Sequence, residues 1–178
     1  MNIITTSIPD VLIFEPKVFE DSRGYFFESF SQREFETAIG RKIDFVQDNQ
    51  SKSCRGVIRG LHFQQGEFAQ AKLVRCVVGK VLDVALDIRP DSPTYGKYVI
   101  AELSDENRWS IYIPRGFAHG FAVLSEMAVF QYKCDNYYCK ESEGGFSPLD
   151  PTLAIDWRIA PSEAILSPKD TLLPPFIK

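Results

Sequence analysis

The sequence predicts an all-β fold, either a barrel or a double-sheet jelly roll, with a few short helices. Short apolar runs alternate with turn residues along most of the 178 residues, a spacing typical of sandwiches and barrels. Aromatic residues make up 13% of the chain, including 14 phenylalanines, and such residues favour strands. Only one segment has the apolar spacing of a helix. The length is that of one domain with a substantial core.

The first 30 residues predict a strand followed by a hairpin. Residues 11–14 form a short apolar run that ends before Pro16. Residues 18–30 form two aromatic arms, and the turn residues Asp-Ser-Arg-Gly lie between them at positions 21–24. The second arm carries Phe26 and Phe27. These side chains can cover the core of the chain itself or reach into a partner subunit.

One short helix is predicted directly after this hairpin. Ser31 and Glu34 have the spacing of a capping box. Apolar residues at helical spacing follow from Phe35, and Gly40 is a suitable helix stop.

From residue 43 onward the pattern is that of strands. Gln47, Asn49 and Ser51 alternate with Asp48 and Gln50, so one face of a strand carries two amides and a hydroxyl. Such a row is ordinarily solvated. If this face points into a barrel, the same groups become hydrogen-bond partners for a polar ligand.

Further strands are predicted at residues 72–78, 81–88, 98–103, 109–113 and 127–134. The first two flank Gly79 and Lys80, and we expect them to form a hairpin. Asp83 lies in the most apolar part of the chain, where a carboxylate needs a partner. Tyr132 shares a strand face with Phe130 and Cys134. Residues 142–178 are rich in turn residues and predict irregular structure with short helices.

Both histidines of the chain lie in glycine-flanked segments. Residues 56–64 form an apolar run that reads as a kinked strand and contains Arg59 and His62. His119 follows a turn with proline and glycine in residues 114–121. A structural interpretation pairs Arg59 with a carboxylate and leaves His62 as a hydrogen-bonded core residue. Because several other polar residues also occupy strand-like settings, we favour a ligand site.

Composition and charge exclude several classes of function. The net charge of -4 and the pI near 5.3 argue against a nucleic-acid partner. No segment has the length of a membrane span or the pattern of a targeting signal, so we expect a cytoplasmic protein with no membrane partner. The four cysteines lack the spacing of a zinc site or a disulfide framework.

A metal site is disfavoured. The segment Pro114, Gly116, His119 matches the second metal-binding motif of small cupin-type barrels, but Gln64 stands where the first motif has its second histidine. Only two imidazoles remain, whereas a transition metal usually takes three or more protein ligands. We therefore predict no metal site.

The polar residues of these strand-like segments are of the types that proton transfer at a carbon next to a carbonyl needs. Histidine has the pKa that a base needs near neutral pH, which points to His62. Lys72 begins a strand and can hold an enolate oxygen, and Tyr132 can serve as an acid on the opposite face. The base needs an orienting carboxylate, for which spacing alone leaves both Asp83 and Asp170 open.

Ordered blocks along nearly the whole chain resemble the dTDP-4-dehydrorhamnose 3,5-epimerase family. The blocks are residues 19–28, 47–49 and 59–64, Lys72, residues 113–121 and residues 136–138. The resemblance implies a cupin-type jelly roll in which residues 1–178 form one epimerase domain. It also implies a cofactor-free reaction on a dTDP-sugar in dTDP-L-rhamnose synthesis. The implied assembly is a homodimer in which the amino-terminal hairpin is exchanged.

The resemblance also implies roles for individual residues. His62 would remove the C5 and C3 protons, Asp170 would orient it, Tyr132 would return a proton, and Lys72 would stabilise the enolate. The residues implied in binding are Arg23, Glu28, Gln47, Asn49, Arg59, His119, Tyr138, Glu143 and Lys169. Of these, Arg59 and His119 would contact the sugar or diphosphate, and Tyr138 would stack on thymine. Asp83 would partner His119, and Arg23 and Glu28 would come from the partner chain.

Two alternatives remain open from the sequence. An epimerase that acts only at C3 or only at C5 would use nearly the same residues. A jelly roll that binds sugar nucleotides without catalysis would share the fold.

Overall fold

Two antiparallel β-sheets face each other in the computed structural model, which describes residues 1–177. The six-stranded sheet has the spatial order β1 (Asn2–Thr5), β2 (Leu12–Glu15), β10 (Ser110–Ile113), β7 (Lys72–Val78), β12 (Met127–Cys134), β5 (Gln47–Cys54). The five-stranded sheet has the order β13 (Glu143–Gly145), β6 (Ile58–Gln64), β11 (Phe117–Val123), β8 (Lys80–Asp87), β9 (Tyr98–Ser104). The predicted all-β, double-sheet fold is confirmed.

The space between the sheets is an apolar core at one end. Val74 and Phe130 project into it from the six-stranded sheet, and Val81, Phe121 and Val123 project from the five-stranded sheet. The rings of Phe121 and Phe130 stack with centroids 4.2 Å apart and join the two sheets. This core holds the sheets at a fixed separation, so the polar residues at the other end also face each other.

The carboxy-terminal segment covers the outer face of the five-stranded sheet. Trp157 and Phe176 pack with Leu82 and Leu86, which point away from the inter-sheet core. Both faces of β8 are therefore buried, which explains why apolar residues occupy both faces of this strand, at positions 81, 82 and 84–86. The segment also contains a 3₁₀ turn at Asp170–Leu172. The predicted irregular structure with short helices is confirmed for residues 142–177, with the short strand β13 as an addition.

Helix α1 (Gln32–Ile39) covers the outer face of the six-stranded sheet. Its buried residue Phe35 packs on Phe14 and on Tyr112. Gly40 ends the helix in the left-handed conformation (φ 70°), as predicted. The predicted capping box is wrong, because Ser31 makes no side-chain capping hydrogen bond and Glu34 lies 3.6 Å from the amino terminus instead.

The predicted hairpin of residues 72–78 and 81–88 is also wrong. Strand β7 pairs with β10 and β12, whereas β8 pairs with β9 and β11 in the other sheet. Gly79 (φ 77°) turns the chain from one sheet to the other. A side chain at this position would meet the carbonyl oxygen of Met127 at 2.1 Å, so only glycine fits the corner.

Strands β3 (Val18–Asp21) and β4 (Gly24–Phe27) form the predicted hairpin as a separate two-stranded sheet. Phe27 packs under the guanidinium of Arg75, and Tyr25 packs under that of Arg108. Phe19 and Phe26 remain exposed. None of the helices within residues 1–177 is long and apolar enough to cross a membrane.

Candidate active site

Polar side chains line the end of the inter-sheet space that the apolar core leaves open. Paired residues of antiparallel strands point to the same face. On the six-stranded sheet, Tyr132 pairs with Asn49, and Cys134 pairs with both Gln47 and Lys72. These residues share the strand faces that carry the inward Phe130 and Val74. The predicted polar row of β5 therefore points between the sheets.

A bulge in β6 brings Arg59 and His62 to the same face. Residues three apart in a regular strand point to opposite faces. Here Gly60 and Leu61 together lie opposite Gly120, so that Arg59 pairs with Phe121 and His62 pairs with His119. A Cβ atom at Gly60 would meet the Cα atom of Gly120 at 2.6 Å. The kink predicted in this strand is this glycine-dependent bulge.

His62 forms a pair with Asp170. Its Nε2 donates a hydrogen bond to Asp170 Oδ1 at 2.6 Å. Asp170 is 3% exposed and His62 is 31% exposed. Burial lowers the pKa of His62, Asp170 opposes this effect, and Lys72 and Lys169 reinforce it. The imidazole is thus held in a fixed orientation and favoured as the free base.

His119 forms a second pair of the same kind with Asp83. Its Nε2 donates to Asp83 Oδ2 at 2.8 Å, and both side chains are almost completely buried. The imidazole stacks against Phe130 with centroids 6.0 Å apart. The structure therefore assigns one carboxylate to each histidine, a choice that spacing had left open.

Lys72 and Tyr132 lie side by side on the six-stranded sheet. The ammonium of Lys72 is 5.9 Å from the centroid of the Tyr132 ring. Burial lowers the pKa of Lys72, while Cys134, Asp83 and Glu143 oppose this effect. Burial raises the pKa of Tyr132, so its hydroxyl stays protonated at neutral pH. A cation and a neutral acid thus face His62 across the gap between the sheets.

The mouth of this space is lined by a hydrogen-bonded group of polar residues. Gln47 Nε2 donates to Asn49 Oδ1 at 3.1 Å, and Gln47 Oε1 accepts from the backbone of Tyr138 at 3.2 Å. Tyr138 donates its hydroxyl to Glu143 at 2.9 Å, and Glu143 forms an ion pair with Lys169. Burial raises the pKa of Glu143, but Lys169 and Tyr138 outweigh it and hold the pKa below its usual value. The ring of Tyr138 is half exposed.

Arg59 does not form the pair with a carboxylate that the structural interpretation of the sequence gave it. Its Nε donates to Ser53 Oγ at 3.0 Å, and it forms no ion pair with a carboxylate among residues 1–177. The side chain is exposed. A guanidinium held at its base and free of an internal counter-charge is suited to an anionic ligand.

Arg23 and Glu28 are the two predicted site residues that the structure does not bring to this space. They lie on and after the β3–β4 hairpin, outside the six-stranded sheet. Arg23 is 87% exposed and pairs with Asp21 rather than with Glu28. Arg23 therefore forms its salt bridge within the hairpin turn and not with Glu28.

Two residues at the site, Ser53 and Gln64, were not predicted as site residues from the sequence. Ser53, the partner of Arg59, continues the alternation of Gln47, Asn49 and Ser51 along β5. This alternation alone could have predicted that Ser53 shares their face. Gln64 accepts a hydrogen bond from the backbone of Cys139 at 2.9 Å and so fixes the loop that carries Tyr138. Within residues 1–177, no group of three or more histidine, cysteine, aspartate or glutamate side chains could hold a metal ion.

Comparisons with known proteins agree with this geometry. The family model described as dTDP-4-dehydrorhamnose 3,5-epimerase matches residues 5–178. The chain is 58% identical to the dTDP-4-dehydrorhamnose 3,5-epimerase of Shigella flexneri over 170 residues, covering 96% of this chain and 93% of the relative.

Two solved structures are similar over almost the whole chain. The dTDP-4-dehydrorhamnose 3,5-epimerase of Elizabethkingia anophelis superposes with a TM-score of 0.95 at 55% identity, covering 99% of this chain and 96% of the other. A dTDP-6-deoxy-D-glucose-3,5-epimerase of Legionella pneumophila, solved in complex with dTDP-4-keto-L-rhamnose, gives a TM-score of 0.91 at 48% identity and covers 99% of both chains. The chain therefore belongs to the dTDP-4-dehydrorhamnose 3,5-epimerase family, a family of isomerases with the cupin-type jelly-roll fold.

Proposed function

We propose that the protein converts dTDP-4-dehydro-6-deoxy-D-glucose to dTDP-4-dehydro-L-rhamnose by inverting C3 and C5, without a metal or cofactor. The observation that carries this proposal is the His62–Asp170 pair, with its 2.6 Å hydrogen bond at the polar end of the inter-sheet space. A keto sugar bound there has acidic protons on both carbons next to its carbonyl. A base with a lowered pKa can remove them near neutral pH.

His62 acts as the base in this reaction. Its Nε2 is occupied by Asp170, which leaves Nδ1 to take the proton from carbon. As the C–H bond breaks, its electron pair forms a carbon–carbon double bond and the carbonyl electrons move onto the C4 oxygen. Asp170 then stabilises the imidazolium without taking its proton.

Lys72 stabilises the negative charge on the C4 oxygen. A cation in a buried site interacts more strongly with a developing oxyanion than it would in water. Burial lowers the pKa of Lys72, and the acidic neighbours Asp83 and Glu143 counteract this effect. Their charges help to keep the ammonium protonated for this role.

Tyr132 returns a proton to the opposite face of the carbon. It projects from the six-stranded sheet, whereas His62 belongs to the five-stranded sheet. A sugar between the sheets would have the base on one side and the acid on the other, which is the arrangement that inversion requires. The raised pKa of Tyr132 keeps its hydroxyl available as a proton donor.

The residues at the mouth bind the nucleotide. Tyr138 stacks on the thymine ring, and Gln47, Asn49, Glu143 and Lys169 supply hydrogen bonds and charge around it. Arg59 and His119 contact the diphosphate or the sugar. Arg23 and Glu28 complete the site of a partner subunit in a homodimer, because the exposed aromatic residues of their hairpin favour a protein contact. The chain acts as one epimerase domain in the cytoplasm.

The variant His62→Ala tests catalysis against mere binding. We expect loss of turnover with retained binding of dTDP, measured by calorimetry. Turnover that persists in this variant would contradict the assignment of the base. Elemental analysis of the purified wild-type protein tests the cofactor-free reaction, and stoichiometric iron or manganese would contradict it.

The variant Tyr132→Phe tests the separation of acid and base. Removing only the hydroxyl leaves proton abstraction, and therefore hydrogen exchange with solvent, largely in place, while inverted product decreases. If exchange and inversion decrease together, Tyr132 is not a dedicated acid.

A further inference from the structure

The Asp83–His119 pair is the most deeply buried polar contact of the inter-sheet space. Asp83 is 0% exposed, and the His119 side chain is 7% exposed. Asp83 Oδ2 accepts from His119 Nε2 at 2.8 Å, while its Oδ1 is enclosed and has no hydrogen-bond partner among residues 1–177. A buried carboxylate with a single partner is costly unless a cation lies close to it. The chain maintains this costly arrangement directly beside the catalytic residues.

The connectivity of this pair matches that of His62 and Asp170. Both histidines give Nε2 to a carboxylate, and both stand on facing positions of β6 and β11. Directly paired residues of antiparallel strands have Cβ atoms about 5 Å apart. A single hexose ring can therefore contact both imidazoles at once.

The free ring nitrogen of His119 opens onto the inter-sheet space. His119 Nδ1 has no hydrogen-bond partner in the described part of the chain. Unlike Asp83 Oδ1, this nitrogen is not fully enclosed by protein atoms. The stack on Phe130 and the hydrogen bond to Asp83 leave the ring little freedom to turn. Asp83 thus determines which ring nitrogen of His119 is available to a ligand.

We propose that Asp83 is a positioning residue of the epimerase reaction, which holds His119 with Nδ1 turned to the sugar so that His119 shares a proton with the C4 oxygen. This inference rests on the proposed function. It deepens that function by assigning a role to a carboxylate that does not touch the substrate.

The proton transfers balance through this second pair. When His62 removes a proton from C3 or C5, negative charge develops on the C4 oxygen, and protonated His119 donates its Nδ1 proton to that oxygen. An enol and a neutral imidazole result. When carbon is protonated again, the carbonyl forms and the proton returns to His119 Nδ1. Asp83 stabilises the imidazolium in the resting state by its negative charge, and Lys72 adds positive charge beside the same oxygen.

Two variants test the role of the pair. We expect His119→Gln to decrease kcat by about 100-fold, the usual range for loss of a general acid, with hydrogen exchange and inversion decreased equally. Asp83→Asn keeps the shape of the carboxylate but not its charge. It should decrease kcat by at least about tenfold with a smaller change of KM, because the defect lies in the proton transfer rather than in binding.

Nitrogen-15 NMR of the imidazoles gives a readout that a merely structural role would not change. We expect His119 of the wild-type protein to carry protons on both Nδ1 and Nε2 before the substrate reacts, and His119 of Asp83→Asn to be a neutral imidazole with a single proton. Asp87→Asn is the matched control, since Asp87 is also a buried aspartate of β8 but binds Arg89, Ser92 and Thr94 outside the site. The folded control should keep the wild-type kcat and the wild-type His119 signal.

The outcomes separate the two proposals. A wild-type protein that neither exchanges nor inverts the dTDP-sugar contradicts the proposed function itself. If the wild type is active and folded Asp83→Asn keeps both the wild-type kcat and the wild-type protonation of His119, the inference about Asp83 is wrong while the proposed function stands. Equal kinetic losses in Asp83→Asn and the Asp87→Asn control would also overturn the inference, because a general loss of stability would then explain both.

Discussion

Replacing Asp170 with asparagine removes the charge behind the proposed base while almost preserving the shape of the side chain. In the wild-type protein, His62 Nε2 donates to Asp170 Oδ1 at 2.6 Å, and the carboxylate is 3% exposed. During the reaction the imidazole becomes an imidazolium and gains the full attraction of this charge. The variant loses that attraction in the transition state but not in the ground state.

The geometry allows an estimate of the loss. Two unit charges about 4 Å apart attract by about 4 kcal/mol at an effective dielectric constant of about 20. Because His62 is 31% exposed, solvent screens part of this energy, and we take about 3 kcal/mol. This energy corresponds to a decrease of kcat of at least about 100-fold.

The pH dependence should change in a defined direction. Burial lowers the pKa of His62, and the hydrogen bond and charge of Asp170 raise it. Asp170→Asn removes the raising contributions, so the pKa of His62 decreases further and the acid limb of kcat/KM moves to lower pH. Steady-state kinetics between about pH 5 and 9 measures both effects, since the histidine pKa of about 6.5 lies in this range.

A matched control separates catalysis from folding. Asp150 is also a buried aspartate of the carboxy-terminal segment, but it accepts hydrogen bonds from the backbone of Thr152 and Phe176 away from the site. Asp150→Asn should lower the Tm without moving the acid limb. An Asp170→Asn enzyme with more than a tenth of the wild-type kcat and an unmoved acid limb would refute the reasoning.

Lys169→Ala removes a positive charge that lowers the pKa of His62, so the acid limb of kcat/KM should move to higher pH; an unmoved limb would contradict this electrostatic coupling. Lys72→Met should decrease kcat by about 100-fold. It should also remove an alkaline limb of the pH profile, which lies below the usual pKa of a lysine because burial lowers the pKa of Lys72. An alkaline limb that persists in the variant would belong to another group. Gly60→Ala should decrease the free energy of unfolding by at least about 2 kcal/mol through overpacking, because its Cβ would meet the neighbouring strand at 2.6 Å. Gly66→Ala, also at positive φ but in open space, is the control in denaturant unfolding, and an equal loss in both variants would assign the effect to backbone conformation alone.

Patterns between near neighbours in the sequence predicted the strands and much of the site. The alternation in β5 depends only on which residues share a face, so Gln47 and Asn49 could be expected together before their partner strand was known. The structure pairs Asn49 with Tyr132 and Gln47 with Cys134. Turn residues likewise predicted the β3–β4 hairpin and the helix stop at Gly40.

The choice of pairing partner could not be predicted in the same way. Strands β7 and β8 are joined by a glycine turn, which usually indicates a hairpin, yet each is apolar enough to pair in the interior of a different sheet. The capping box failed for a related reason, since Glu34 lies near the charged amino terminus, a contact from outside the helix. Tertiary contacts thus overrode local patterns at both positions.

The spacing of residues in the sequence also could not predict which carboxylate pairs with which histidine. His62 and Asp170 are 108 positions apart, and His119 and Asp83 are 36 apart. The resemblance to the family had suggested both pairs, but spacing alone could not. Only the position of the carboxy-terminal 3₁₀ turn against β6 brings Asp170 to its histidine.

The most direct test is to incubate the purified wild-type protein with dTDP-4-dehydro-6-deoxy-D-glucose in deuterated water and to read the product by NMR. We expect deuterium at both C3 and C5, with inverted configuration at both carbons. Deuterium at one carbon alone would contradict the double epimerisation and indicate a single-site epimerase. No deuterium at either carbon, with the dTDP-sugar bound, would contradict catalysis by His62 altogether.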